Sequence, residues 1–141
     1  MRPCALACLL LSLCVVSGCG YFRKVGDCRR LAAQVNRALD DIAAAHDAGG
    51  ATAATQRDLA GRYERLAQDV EAAAKSDDAL GKTLREYSQG FTETSRTLRA
   101  LADATDQNDA TATTRLKREL GTLARRDKTL VSRLDAICAE P

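Results

Sequence analysis

Leu80 to Thr105 reads LGKTLREYSQGFTETSRTLRALADAT, and within it Leu80, Leu84, Tyr87, Phe91, Thr94, Leu98, Leu101 and Thr105 recur at alternating steps of four and three. That is the repeat of one face of an α-helix, kept without a miss for roughly three and a half heptads. On its far side, Thr105 to Thr111 (TDQNDAT) is rich in turn and cap residues and predicts a loop. Beyond the loop a last helix carries Leu116, Leu120, Leu123, Asp127, Leu130, Leu134 and Ile137 on one stripe, with Val131 and Cys138 on its flank. On the near side, Lys75-Ser76-Asp77-Asp78 predicts a break, with Ser76 or Asp77 as the cap. Before it, Leu59, Tyr63, Leu66, Val70 and Ala73 share one face while Arg57, Arg62, Glu64, Arg65, Asp69 and Glu71 occupy the others. Gly49-Gly50 ends an earlier helix and Thr52 caps the next. That first helix is predicted from near Cys28 to about His46, on Cys28, Leu31, Val35, Ala38, Ile42 and Ala45, with Ala32 and Leu39 widening the stripe.

Four amphipathic helices with short connections predict an all-α fold, packed most simply as an antiparallel up-down-up-down four-helix bundle. Two prolines, no tryptophan and abundant Ala, Leu and Arg agree with helix throughout. The charge is nearly balanced, with 21 Lys and Arg against 19 Asp and Glu. Binding to a phosphate backbone needs clustered excess cation, so no nucleic-acid partner is expected.

The amino-terminal residues have a different character. Arg2 precedes Ala5 to Val16 (ALACLLLSLCVV), about a dozen apolar residues, the length of a secretory h-region. A bilayer span needs roughly 20. Val16-Ser17-Gly18-Cys19 then resembles the lipobox of bacterial lipoproteins. The resemblance covers only this segment and implies diacylglyceryl transfer to the Cys19 sulfur, cleavage between Gly18 and Cys19, and acylation of the new amino terminus. Two or three acyl chains, each methylene contributing about 0.8 kcal/mol, would anchor the chain stably. Gly20 follows Cys19, whereas an Asp there commonly retains such proteins in the inner membrane. The default is therefore the outer membrane, facing the periplasm, if the host has two membranes.

This divides the chain into a cleaved signal peptide, 1–18, a lipidated membrane-proximal tether, 19–27, and the bundle, 28–139. The tether spans at most roughly 28 Å when extended over Gly20 to Asp27. Tyr21 and Phe22 beside Arg23 and Lys24 either sit at the headgroup layer or form a plain linker. Of six cysteines, Cys4, Cys8 and Cys14 leave with the signal and Cys19 takes the lipid, so Cys28 and Cys138 remain. In an oxidising compartment these two are expected to pair. An even number of antiparallel helices brings them to one end, and a disulfide requires Cα atoms within about 7 Å. The pairing therefore also argues for the break near Ser76.

No catalytic residues stand out. His46 is the sole histidine, and beside Asp47 it makes a poor metal site, since zinc takes four ligands. No cofactor motif is present, and no Cys-x-x-Cys-His for haem. Asp40-Asp41 and Asp77-Asp78 diverge around a helix and read as solvated faces or caps. Asp127 is the anomaly, a carboxylate on an apolar stripe. Either the Tyr87 phenol donates a hydrogen bond to it and sets the register of the last two helices, or it turns to the rim and pairs with an arginine. Ser88 to Thr97 (SQGFTETSRT) is rich in hydroxyls, and Gly90 inside it allows a close approach by a partner or by Tyr63. The outer face of this helix is the first candidate for a binding surface.

The expected function is a non-enzymatic, lipid-anchored envelope protein acting as an adaptor, accessory or structural module for another envelope protein. The alternative is a carrier that holds a small apolar or lipid ligand between helices, which requires an unfilled core.

Overall fold

The computed structural model describes residues 18–76 and 78–139, with backbone alone for 18–25. Four helices account for nearly all of it: α1 (Gly18–Gly49), α2 (Ala53–Ala73), α3 (Ala79–Asp106) and α4 (Ala110–Ala139). No strand occurs among the described residues. None of the described helices is long and apolar enough to cross a membrane.

Each break has a local cause. Gly50 adopts φ +63°, a left-handed conformation that glycine takes without steric cost, and its N–H donates to the His46 carbonyl at 3.0 Å. Thr52 then caps α2, its hydroxyl accepting from Thr55 N–H at 3.1 Å, while the Thr55 hydroxyl donates back to the Gly49 carbonyl at 2.8 Å. The α2–α3 break falls where it was predicted, but the cap is Asp78, one residue beyond Asp77. Its carboxylate accepts from Gly81 N–H at 2.9 Å and from the Ser76 hydroxyl at 2.7 Å. Arg85 closes this turn from α3 by donating to the Ala74 and Ser76 carbonyls. The α3–α4 loop is tighter than Thr105 to Thr111. Asn108 supplies the left-handed residue at φ 54°, and Asp109 caps α4 by accepting from Ala112 N–H at 2.9 Å.

At its start α1 is longer than the apolar spacing predicted. The backbone is helical from Gly18, so the segment read as a tether is helix rather than extended chain. Helical rise is about 1.5 Å per residue against about 3.4 Å for extended chain, so its reach is less than half of that expected.

The core centres on α3, which packs against α2 and α4 both, and the α2–α3 interface is the most extensive in the molecule. Phe91 is 1% exposed, with the Tyr87 ring centroid 4.6 Å away and that of Tyr63 5.8 Å away. Leu66 and Val70 of α2 and Leu84 and Leu98 of α3 belong to the same cluster. Burial on the outer helices is sparse. In α1 it comes at Cys28, Val35 and Ile42, and in α4 at Leu116, Leu123 and Leu130, one residue every seven. The α1–α4 interface is accordingly the least extensive of the four. There the Cys28–Cys138 disulfide, with Cα atoms 6.2 Å apart, ties the helices covalently.

Candidate functional site

Because α1 and α4 touch along so little of their length, an open seam remains between them, and its two hollows have different chemistry. The first, near the disulfide, has a volume of about 230 Å³ and is walled by Leu31, Val35, Leu84, Tyr87 and Leu134, with Cys28 and Cys138 at its end. Val131, the one large apolar side chain well exposed among the described residues, lies on its edge. The second has a volume of about 460 Å³ and is lined from all four helices. Its apolar wall is Leu39 and Ile42 of α1, Leu59 of α2, Leu98 of α3 and Leu120 of α4. His46, which is exposed, lines it as well, and Tyr63, Thr94 and Asp127 are the other polar residues along it. Small-molecule sites commonly have volumes of about 300 to 1,000 Å³.

Asp127 reaches this place because it lies on the inward stripe of α4 and because Gly90 of α3 leaves room. A Cβ at Gly90 would stand 2.7 Å from Asp127 Oδ1 and 3.1 Å from Arg126 Nη2. The close approach foreseen at Gly90 is thus made by α4 and not by Tyr63. Oδ1 is buried and has no hydrogen-bond partner. The expected Tyr87 to Asp127 hydrogen bond is therefore not formed through Oδ1, and the rim pairing is not made either. Arg126 instead pairs with Glu93 at 2.8 Å. Tyr87 leans on Phe91, and this ring packing takes it into the core. Burial pushes the Asp127 carboxyl above its usual range, an effect opposed by Arg126 and reinforced by Glu93. Burial, followed by the Asp127 charge, also raises the Tyr63 phenol, and the same two causes lead in pushing Tyr87 up to about 12.

The hydroxyls of Ser88 to Thr97 do not form an outer face. Ser88, Thr94, Ser95 and Thr97 are all buried, because α3 has a neighbour on two sides and its buried arc is wider than one apolar stripe. Ser88 donates to the Ala67 carbonyl at 2.9 Å and Thr97 to Glu119 at 3.1 Å. The hydroxyls of Thr94 and Ser95 have no partner, and of the two only Thr94 lines the larger hollow. Sequence reasoning missed Thr94 as a site residue, since its place on the heptad stripe marked it for the core. Only its missing partner distinguishes it.

The leader and Val16-Ser17 lie outside the described residues, while Gly18 and Cys19 open the backbone of α1. Among the described residues no three His, Cys, Asp or Glu side chains converge to hold a metal. No family model matches the chain, and no curated protein or solved structure matches it either.

Proposed function

We propose that this is a non-enzymatic, lipid-anchored protein of the bacterial envelope that carries a small apolar ligand in the seam between α1 and α4. The observation that carries this reading is the hollow of about 460 Å³ lined from all four helices. An adaptor needs a complementary outer face, whereas a carrier needs an unfilled interior.

The helices run up-down-up-down, an arrangement supported by the order of their cross-helix partners. As positions rise from Arg57 through Glu64 to Ala67 on α2, their partners fall from Asp103 through Arg99 to Ser88 on α3. The same reversal relates Glu86, Glu93 and Thr97 of α3 to Arg133, Arg126 and Glu119 of α4. Acyl chains on Cys19 hold the bundle at the membrane. With Gly20 rather than Asp next to the anchor, the destination is the outer membrane, facing the periplasm, in a host with two membranes.

The test is to recover the full chain from bacterial envelopes under non-reducing conditions and identify by mass spectrometry what accompanies it. A small apolar molecule near one per chain is the expected result. A protein at fixed ratio, with no small molecule, would replace the carrier by the adaptor and make that protein the partner. Substitution Cys19→Ser should move the chain from the membrane to the soluble fraction, and its retention in the membrane would refute the anchor.

A further inference from the structure

The balanced charge of the whole chain conceals an uneven distribution in space. The buried Leu116, Leu123 and Leu130 fix the inward side of α4, and at 3.6 residues per turn Arg118 and Arg125 fall opposite them, with Lys117 and Lys128 towards α1 and Arg115 towards α3. All five cations are exposed, and none is in an ion pair among the described residues. The carboxylates of α4 lie elsewhere. Asp127 Oδ1 is buried near Gly90, Glu119 accepts from Thr97 of α3 at 3.1 Å, and Asp135 borders the first hollow at the disulfide end. Across the seam Asp40 and Asp47 of α1 are exposed, and no ion pair joins them to α4. Between the cations the ground is low and chemically quiet. Thr114, Thr122, Thr129 and Ser132 donate back to carbonyls of their own helix, so guanidinium and ammonium groups are the donors this face presents.

We propose that the outer face of α4 docks on an anionic lipid surface, laying the bundle along the membrane with the α1–α4 seam at the bilayer. This rests on the lipid-anchor and carrier readings and adds an orientation and a source for the carried ligand. The backbone is helical over the nine residues from Cys19 to Cys28, which places the anchor about 14 Å from the disulfide, and the disulfide brings the end of α4 to the same place. In an upright bundle Lys128 to Arg115 would stand about 15 to 35 Å beyond the disulfide. The attraction of anionic headgroups fades within a Debye length, about 8 Å, so only a bundle lying down brings the cations to the surface. The anchor itself supplies that surface at high effective concentration, which no acidic protein partner shares. Lys117 and Lys128 lie three and four residues from Leu120 and Ala124, which line the larger hollow, so the basic face borders the seam. Docking on it lets an apolar ligand pass between bilayer and hollow with little exposure to water.

The test is neutron reflectometry of the full lipidated chain on supported bilayers of phosphatidylcholine or of phosphatidylglycerol. On phosphatidylglycerol the protein layer should be about 25 Å thick, two helix diameters, and on phosphatidylcholine it should approach about 45 Å, the length of α4. Salt at about 1 M, where the Debye length is about 3 Å, should remove the difference. Arg118→Glu, Arg125→Glu and Lys128→Glu together should also raise the layer on phosphatidylglycerol, with circular dichroism showing the helices intact. The same charge change at exposed cations of the other helices, Arg37→Glu, Arg65→Glu and Lys82→Glu, should leave the layer thin. Equal thickness on the two lipids, or a thin layer that survives the α4 substitutions, would overturn the docking, leave the anchor standing and turn the search to an acidic protein partner. Failure to form a layer on either lipid would overturn the anchor reading, and this inference with it.

Discussion

Replacing Asp127 by Leu should stabilise the protein, although the alternative in which Tyr87 anchors this residue requires the opposite. The buried Oδ1 has no partner, and an unsatisfied buried polar group costs about 1 to 3 kcal/mol. Since the side chain as a whole is half-buried, the lower end of that range applies. Leucine removes this cost and extends the stripe of Leu120, Leu123 and Leu130 into a seam that has room for it. A gain of about 1 kcal/mol shifts the melting temperature by about 3 to 6 °C in a domain of this size. The effect also has a pH signature. Burial raises the folded-state pKa of Asp127, so the native state holds this proton to higher pH than the unfolded chain does. The wild type is thus relatively favoured below the unfolded carboxylate pKa, about 3.9, and loses that advantage as pH rises through the folded value. The gap between variant and wild type should be widest near neutral pH and should narrow in acid. Urea unfolding of both proteins at several pH values measures it. An unchanged or lower midpoint for Asp127→Leu at pH 7, with the same denaturant slope, would show that Oδ1 is well partnered in solution and would refute the reasoning.

Four further outcomes follow from the packing. Replacing Cys28 and Cys138 together by Ser opens a loop of 110 residues and should cost at most about 4.8 kcal/mol by unfolded-chain entropy, with amide exchange in α1 accelerating most because its other contacts with α4 are few; uniform acceleration would contradict the weak seam. Phe91→Ala should lose about 3 to 5 kcal/mol in chemical denaturation, since Phe91 is 1% exposed between two tyrosine rings. Arg133→Ala breaks the half-exposed pair with Glu86 and should cost under about 1 kcal/mol by the same measurement, and a larger loss would mean that the α3–α4 contact relies on charge. In an ultraviolet difference titration two of the three tyrosines, Tyr63 and Tyr87, should ionise above the usual pH 10. Stability should then fall as pH climbs from 10 towards 12, because the unfolded phenols lose protons first.

Much of the architecture is local and so was legible. Gly49-Gly50, Thr52 and the polar Lys75 to Asp78 run end and start helices by hydrogen bonds within a few residues, and the heptads of α3 need only their own spacing. The pairing of Cys28 with Cys138 was legible too, because these are the two cysteines left once the other four are read as leader and lipid acceptor. What a stripe cannot convey is how many neighbours a helix has. Two neighbours bury the hydroxyls of α3 that polarity alone assigned to solvent, whereas one buried residue in every seven leaves α1 and α4 apart. The place of Asp127 is non-local in the same way. It depends on Gly90, 37 positions away in the chain, presenting no Cβ, and on Arg126 being drawn to Glu93. Helix ends were thus settled by short-range chemistry readable in the chain, while the hollow and the buried, unpartnered oxygen of Asp127 exist only because of how four helix surfaces meet, which no single segment encodes.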